Sequence, residues 1–174
     1  MDDREVERLT STDARGEFPF DVTDYVPHLI AAIYRFRDAA LNTALRDLGL
    51  NVGRYRVLGV LSRFGVCTMT ELSRFTAIDR TTLTRIADQL VIAGHVERHT
   101  NPKDRRHVKL ELTESGLDAY RRGLSVVLRS NARLMRDIAD KDARKAARLL
   151  QAMVSNLAPD TSTRDSVILY RRQD

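Results

Sequence analysis

Apolar side chains recur along most of this chain in steps of three and four, and once in steps of two. Leu83, Ile86, Ala87 and Leu90 mark one face of a short helix. Val26, Ile30, Ile33, Leu41, Ala44, Leu45 and Leu48 mark a longer helix before it. Leu117, Tyr120, Leu124, Val127, Leu134 and Ile138, then Ala143, Ala147, Leu150, Val154 and Leu157, mark two more after it. Between these helical stretches Val108, Leu110 and Leu112 alternate with Lys109 and Glu111, the period of a strand with one apolar face. The pattern predicts a mainly α chain with a small β-hairpin, an α+β arrangement.

Cap residues set the boundaries. Thr68-Met69-Thr70-Glu71 is a capping box, in which the hydroxyl accepts from the third helical N–H and the glutamate reaches back to the cap's own N–H. Thr76-Ala77-Ile78 breaks that helix, and Asp79 offers the next N-cap. Gly94 suits the left-handed residue that closes a helix, as Gly49 followed by Leu50 does earlier. Asn51 opens a helix carrying Tyr55, Val57, Leu58 and Leu61, expected to floor the two short ones and to end near Phe64-Gly65. Asp24 caps the first long helix, Thr113 a helix from about Glu114 to Ile138, and Asp140 starts another.

The face opposite the Leu83–Leu90 stripe holds Arg80, Thr81, Thr84, Arg85 and Asp88. Short hydroxyls and guanidinium groups on leading helical turns suit a DNA major groove, where arginine pairs with guanine and threonine meets a thymine methyl. Directly afterwards, the turn Asn101-Pro102-Lys103-Asp104-Arg105-Arg106 puts three cations at the hairpin tip, within reach of phosphates or a minor groove. Thr68 to Thr113 thus reads as a winged helix-turn-helix.

Composition agrees with this reading. The 174 residues are 43% hydrophobic and 30% charged, with net charge +5. Residues 74–109 carry eight cations against four carboxylates, so much of the excess sits on the expected DNA face. The single Cys67 excludes an internal disulfide and fits a reducing, cytoplasmic setting. No apolar run reaches the length of a membrane span, and residues 1–20 are polar and charged, which predicts a flexible arm and no signal peptide.

The chain resembles the MarR family of bacterial transcription regulators. The likeness is carried by Leu48-Gly49-Leu50, Arg54-Tyr55-Arg56-Val57-Leu58, Thr70-Glu71-Leu72-Ser73, the Asp79–Leu90 helix, Gly94-His95-Val96, Asp104-Arg105-Arg106 through Leu112-Thr113, and Gly116. It implies a homodimer joined through its terminal helices. It also implies a palindromic duplex operator, repression or activation of nearby genes, and release by a small phenolic or aromatic ligand. Carried onto this sequence, Arg80, Thr81, Thr82, Thr84 and Arg85 become groove readers. Arg106 and its neighbour Arg105 become wing contacts, with Asp104 holding the wing arginine, beside Lys103 of the basic tip. The helix start at Thr68 and Thr70 faces phosphates. The corresponding organisation is an arm (1–20), an N-terminal dimerisation helix (21–50), the DNA-binding head (51–113), C-terminal dimerisation helices (114–158) and a tail (159–174). The arm is longer than the family plan needs. The peroxide-sensing branch places a cysteine near the start of the first helix, where this chain has none.

Several other chemistries are weighed against this one. His95, His99 and His107 lie on the wing strands without convergent carboxylates, so no metal or cofactor is expected. No phosphate loop, nucleophile elbow or HExxH pattern points to an enzyme. Cys67 reads as a packed thiol, with sulfenate sensing as its alternative. Tyr34, Arg37 and Tyr55 are candidates for a ligand pocket, against a reading as core aromatics and a snorkelling arginine. Asn131, interrupting the stripe of its helix, is a candidate for fixing register across a dimer. Two readings stay open: a ligand-released regulator, and a dimeric DNA-binding protein without effector.

Overall fold

A computed structural model of the protein describes residues 22–101 and 104–170, with the backbone alone at 22, 100, 101 and 104–107. The expected N-terminal arm lies outside the described residues. The helices are α1 (Val26–Leu45), α2 (Val52–Phe64), α3 (Met69–Thr76), α4 (Arg80–Ile92), α5 (Glu114–Leu134), α6 (Asp140–Leu157) and α7 (Thr161–Ile168). The strands are β1 (Cys67–Thr68), β2 (Val96–Asn101) and β3 (Asp104–Leu112). Short 3-10 turns at Val22–Asp24 and Arg46–Leu48 flank α1. Two compact units meet within α1, one ending at Ala39 and the other starting at Ala40. In the first unit Leu29, Ile30, Ile33, Tyr34 and Phe36 are exposed, and Arg37 pairs with Asp38 at 3.5 Å.

The second unit is built on α2. Val57, Leu58, Val60 and Leu61 of this helix are buried, and α3, α4 and α5 pack against it. Leu72 and Phe75 from α3, Leu83, Ile86, Ala87 and Leu90 from α4, and Ala119 and Val127 from α5 complete one core with Leu41 and Leu45. Burying each such leucine contributes about 1.5–3 kcal/mol. The helix stops are local. After α1, Gly49 (φ 67°) donates to the Arg46 carbonyl and Leu50 to the Leu45 carbonyl. After α4, Gly94 (φ 70°) donates to Val91 and His95 to Leu90. Both follow the Schellman pattern, in which a left-handed residue turns two amides back onto the last carbonyls.

The expected hairpin has a third strand. Cys67 and Thr68 pair with Leu110 and Lys109, giving a sheet ordered β1-β3-β2. The pairing anchors the root of the wing to the start of α3. Cys67, Val96 and Leu110 face the core from the sheet, and a shift of β2 against β3 falls at Thr100/Asn101. α5 ends at Leu134, four residues before the expected Ile138. The segment after Pro159 forms α7, because the Asp160 carboxylate accepts from the Thr163 amide at 2.7 Å and caps it.

Candidate nucleic-acid interface and adjoining cavity

Arg80, Thr81, Thr82, Thr84 and Arg85 are all exposed on α4, while Leu83, Ile86, Ala87 and Leu90 are buried on its other side. The helix starts where the Asp79 carboxylate accepts the Thr82 amide at 2.9 Å. That bond and the Thr82 hydroxyl hold the Asp79 carboxyl below its ordinary range. The Thr84 hydroxyl donates back to the Arg80 carbonyl at 2.9 Å, which leaves its methyl and the oxygen's lone pairs for an outside partner. Asp88, on the same face, ion-pairs with Arg98 of β2 at 2.6 Å, so it ties α4 to the wing.

The turn before α4 is stitched by side chains. Thr76 donates to the Leu72 carbonyl at 2.6 Å and accepts from the Ile78 amide, and the Ser73 hydroxyl donates to the Ile78 carbonyl at 2.7 Å. Ala77 sits between them in the left-handed region at φ 53°. At the start of α3 the Thr68 hydroxyl is used up by the capping box with Glu71, whereas Thr70 is exposed. On the wing, Lys103 lies outside the described residues, and Asp104, Arg105 and Arg106 are described as backbone at the start of β3. His99 lies 3.0 Å from the Glu111 carboxylate. Among the described residues no group of three or more His, Cys, Asp and Glu is placed to hold a metal. Cys67 is fully buried, its sulfur 3.6 Å from the Gly65 carbonyl oxygen.

Two contacts that sequence periodicity does not reveal aim this surface. The Thr113 hydroxyl, which caps α5 by accepting from Gly116, donates to the Gly94 carbonyl at 2.7 Å, and the Thr113 amide donates to His95. The end of α4, the root of the wing and the start of α5 are thereby held at one point. The second contact is Arg54 of α2, which donates to the Gly49 carbonyl at 2.8 Å and to the Gln89 side chain of α4 at 3.0 Å. It connects the end of α1 to α4 through one planar guanidinium.

Next to α3 lies a cavity of about 570 Å³ between α2, α5 and Tyr170. Tyr55 is one of its walls, stacked on Tyr120 with ring centroids 5.5 Å apart. The lack of a side chain at Gly123 permits the stack, since a Cβ there would sit 2.9 Å from the Tyr55 ring. Arg56, Arg63, Phe75 and Tyr170 supply much of the remaining lining. Burial pushes the Tyr170 phenol above its ordinary range, against the pull of the Arg63 guanidinium. Of the three pocket residues expected from sequence, Tyr55 is here, and Tyr34 and Arg37 belong to the first unit. Phe75 and Tyr170 were missed because neither belongs to the stripe of a long helix. The Asp160–Thr163 cap spacing was the available signal for an ordered segment ending at Tyr170.

A family model described as MarR family matches residues 48–107, which run from the end of α1 through the wing turn. The HTH-type transcriptional repressor NicR of Pseudomonas putida is 35% identical over 98 residues, covering 56% of this chain and 62% of that protein. The chain spans about three fifths of the length of the curated relatives it matches. The crystal structure of a mutant MarR from Escherichia coli complexed with operator DNA is similar with a TM-score of 0.67 at 27% identity, covering 76% of this chain and 96% of that one. Bordetella bronchiseptica BpsR shares the fold, with a TM-score of 0.71 at 22% identity over 75% of this chain and 98% of that one. The segment that builds the helix-turn-helix and its wing is thus the part of this chain that matches the MarR family model and resembles these regulators.

Proposed function

We propose that this chain is a homodimeric, sequence-specific transcription regulator, a repressor that binds a palindromic DNA operator and is released by a small aromatic ligand. The observation that carries the reading is the face of α4. Arg80, Thr81, Thr82, Thr84 and Arg85 stand exposed beside a wing that Arg98 and Thr113 bind to the same helix. Arg85 reads a guanine edge, the threonines meet thymine methyls, and the wing arginines Arg105 and Arg106, with Lys103, take phosphates or the minor groove. Capture of operator DNA by the similar Escherichia coli protein supports this reading.

The dimer rests on unpartnered apolar surface. Leu128, Leu134, Met135, Ile138, Leu149, Leu150 and Leu157 of α5, α6 and their connection are exposed in the single chain, and α6 buries no residue. A second copy would cover them. A two-fold arrangement then sets two α4 helices about one DNA turn, about 34 Å, apart. For the ligand, the Tyr55–Tyr120 cavity offers aromatic walls with Arg56 and Arg63 beside them. Regulation of BpsR by 6-hydroxynicotinic acid supports an aromatic effector.

The test is selection of genomic fragments bound by the purified chain, followed by affinity measurements on the recovered site. Arg85→Ala is expected to cost about 1–3 kcal/mol there and to relax preference at one base of each half-site. Equal loss on random duplex removes the reader assignment. Sedimentation of a monomer at the binding concentration removes the dimer. Retention of the operator against every aromatic acid tried leaves an effector-independent DNA-binding protein.

A further inference from the structure

The aromatic cavity is bounded on one side by Tyr170, just after α7. Phe64 of α2 and Phe75 of α3 stack at 4.4 Å, and Tyr170 lays its ring on both, 5.4 Å from the first and edge-on at 5.6 Å to the second. The Arg63 guanidinium stands over the same ring at 5.4 Å. Tyr170 holds a left-handed backbone at φ 49°, which a bulky residue adopts only where its surroundings impose it. The ring is therefore kept in place by the cavity wall, and local backbone preference works against it.

The same segment grips the DNA-binding head. The Arg74 guanidinium of α3 donates to the Ser162 hydroxyl of α7 at 3.1 Å, and its charge also acts on Asp160, the cap of α7. Ser166 is buried. Arg74 and Phe75 are adjacent, so α7 and Tyr170 hold α3 at two neighbouring points. α3 in turn carries Ser73 and Thr76, which stitch the turn into α4. Among the described residues, Arg74 Nε is a buried donor with no hydrogen-bond partner, so this junction has a polar group in reserve.

We propose that Tyr170 is a built-in occupant of the effector cavity: its phenol holds the place that a small aromatic anion takes, and the exchange unlatches α7 from α3. The claim rests on the reading of this cavity as the effector site and adds how occupancy reaches the DNA face. A flat ring replaces the tyrosine against the Phe64–Phe75 stack. A carboxylate on that ring gains an ion pair with Arg63, where the phenol had only a cation–π contact. Once α7 leaves, α3 loses both of its holds, and the turn that aims α4 loosens.

The test uses the full chain with 4-hydroxybenzoate, which reproduces the tyrosine ring and adds a carboxylate. A site self-occupied about nine-tenths of the time costs an incoming ligand about tenfold in affinity. Tyr170→Ala is accordingly expected to bind the probe about tenfold more tightly and, without probe, to bind the operator about tenfold more weakly. Tyr170→Phe should behave as the wild type. In the wild type the probe should raise amide exchange in α7 and α3 together, a measurement that also decides the matter if Tyr170→Ala does not fold. Unchanged probe and operator affinities in Tyr170→Ala, or saturation of the wild type with α7 still protected, overturn the proposal. Tyr120→Ala separates the two claims. If it leaves probe affinity untouched, or the probe does not bind the wild type, the effector reading of the cavity fails. The occupant claim then stands or falls on the probe-free operator affinity of Tyr170→Ala.

Discussion

Gly116 is where a single methyl group should do the most damage to the DNA-binding head. It lies in the first turn of α5 against the root of the wing, and a Cβ built there would sit 1.9 Å from the His95 carbonyl oxygen. Carbon–oxygen contacts in proteins lie at about 3.3 Å or more, so in Gly116→Ala that carbonyl must retreat by more than about 1 Å. The obstacle is backbone, and rotating a side chain cannot relieve it. His95 accepts the Thr113 amide at 3.1 Å and donates its own amide to Leu90 at 3.0 Å, while the Thr113 hydroxyl holds Gly94. Losing one or two of these bonds costs about 0.5–1.5 kcal/mol each, and the overpacking adds about 1–3 kcal/mol. Together they give about 1.5–6 kcal/mol, a large share of a typical folding stability of about 5–15 kcal/mol. For a chain of this size, at about 2–4 °C per kcal/mol, the melting temperature should fall by about 3–24 °C. Urea titration of wild type, Gly116→Ala and Gly94→Ala measures this directly. The Gly94 variant is the control: its φ, unlike that of Gly116, is left-handed, but nothing lies within 4 Å of its would-be Cβ, so it should lose only the conformational cost of about 1–2 kcal/mol. If Gly116→Ala lies within about 0.5 kcal/mol of the wild type, or is milder than Gly94→Ala, the packing at the wing root is not as described.

Arg54→Ala should destabilise the fold by about 1–3 kcal/mol, because the exposed Gly49 carbonyl and the half-buried Gln89 amide oxygen both lose a charged donor. A double-mutant cycle with Gln89→Ala should show coupling, and strictly additive losses would refute the bridge. The cap of α4 predicts a pH dependence. The Asp79 carboxyl is lowered from 3.8 in the fold by its Thr82 bonds, so its stabilisation is complete above that value and disappears as pH falls through the lowered one. The stability difference between wild type and Asp79→Ala should stay level from pH 7 to 5 and shrink below about pH 4. A difference that grows on acidification would reverse the assignment.

The periods and caps of this chain were legible without coordinates because they are local. A stripe at steps of three and four needs only the helical repeat, and Thr68, Asp79, Gly94 and Thr113 satisfy amides and carbonyls a few residues away. The order of elements, and the opposition of Leu83–Leu90 to Arg80–Arg85 on α4, followed from that alone. What tertiary structure decided joins residues far apart in the chain. Thr113 reaches Gly94 across 19 positions, Arg54 reaches Gln89 across 35, and Arg74 reaches Ser162 across 88. No repeat encodes such pairs, because each depends on how helices cross and where a strand pairs. Cys67 and Thr68 became a third strand only because β3 passes beside them. The Thr113 hydroxyl, the Arg54 guanidinium and the Tyr170 ring have no partner in the linear text. Their roles are set when packing brings one within about 3 Å of a hydrogen-bonding group, or about 5 Å of a ring.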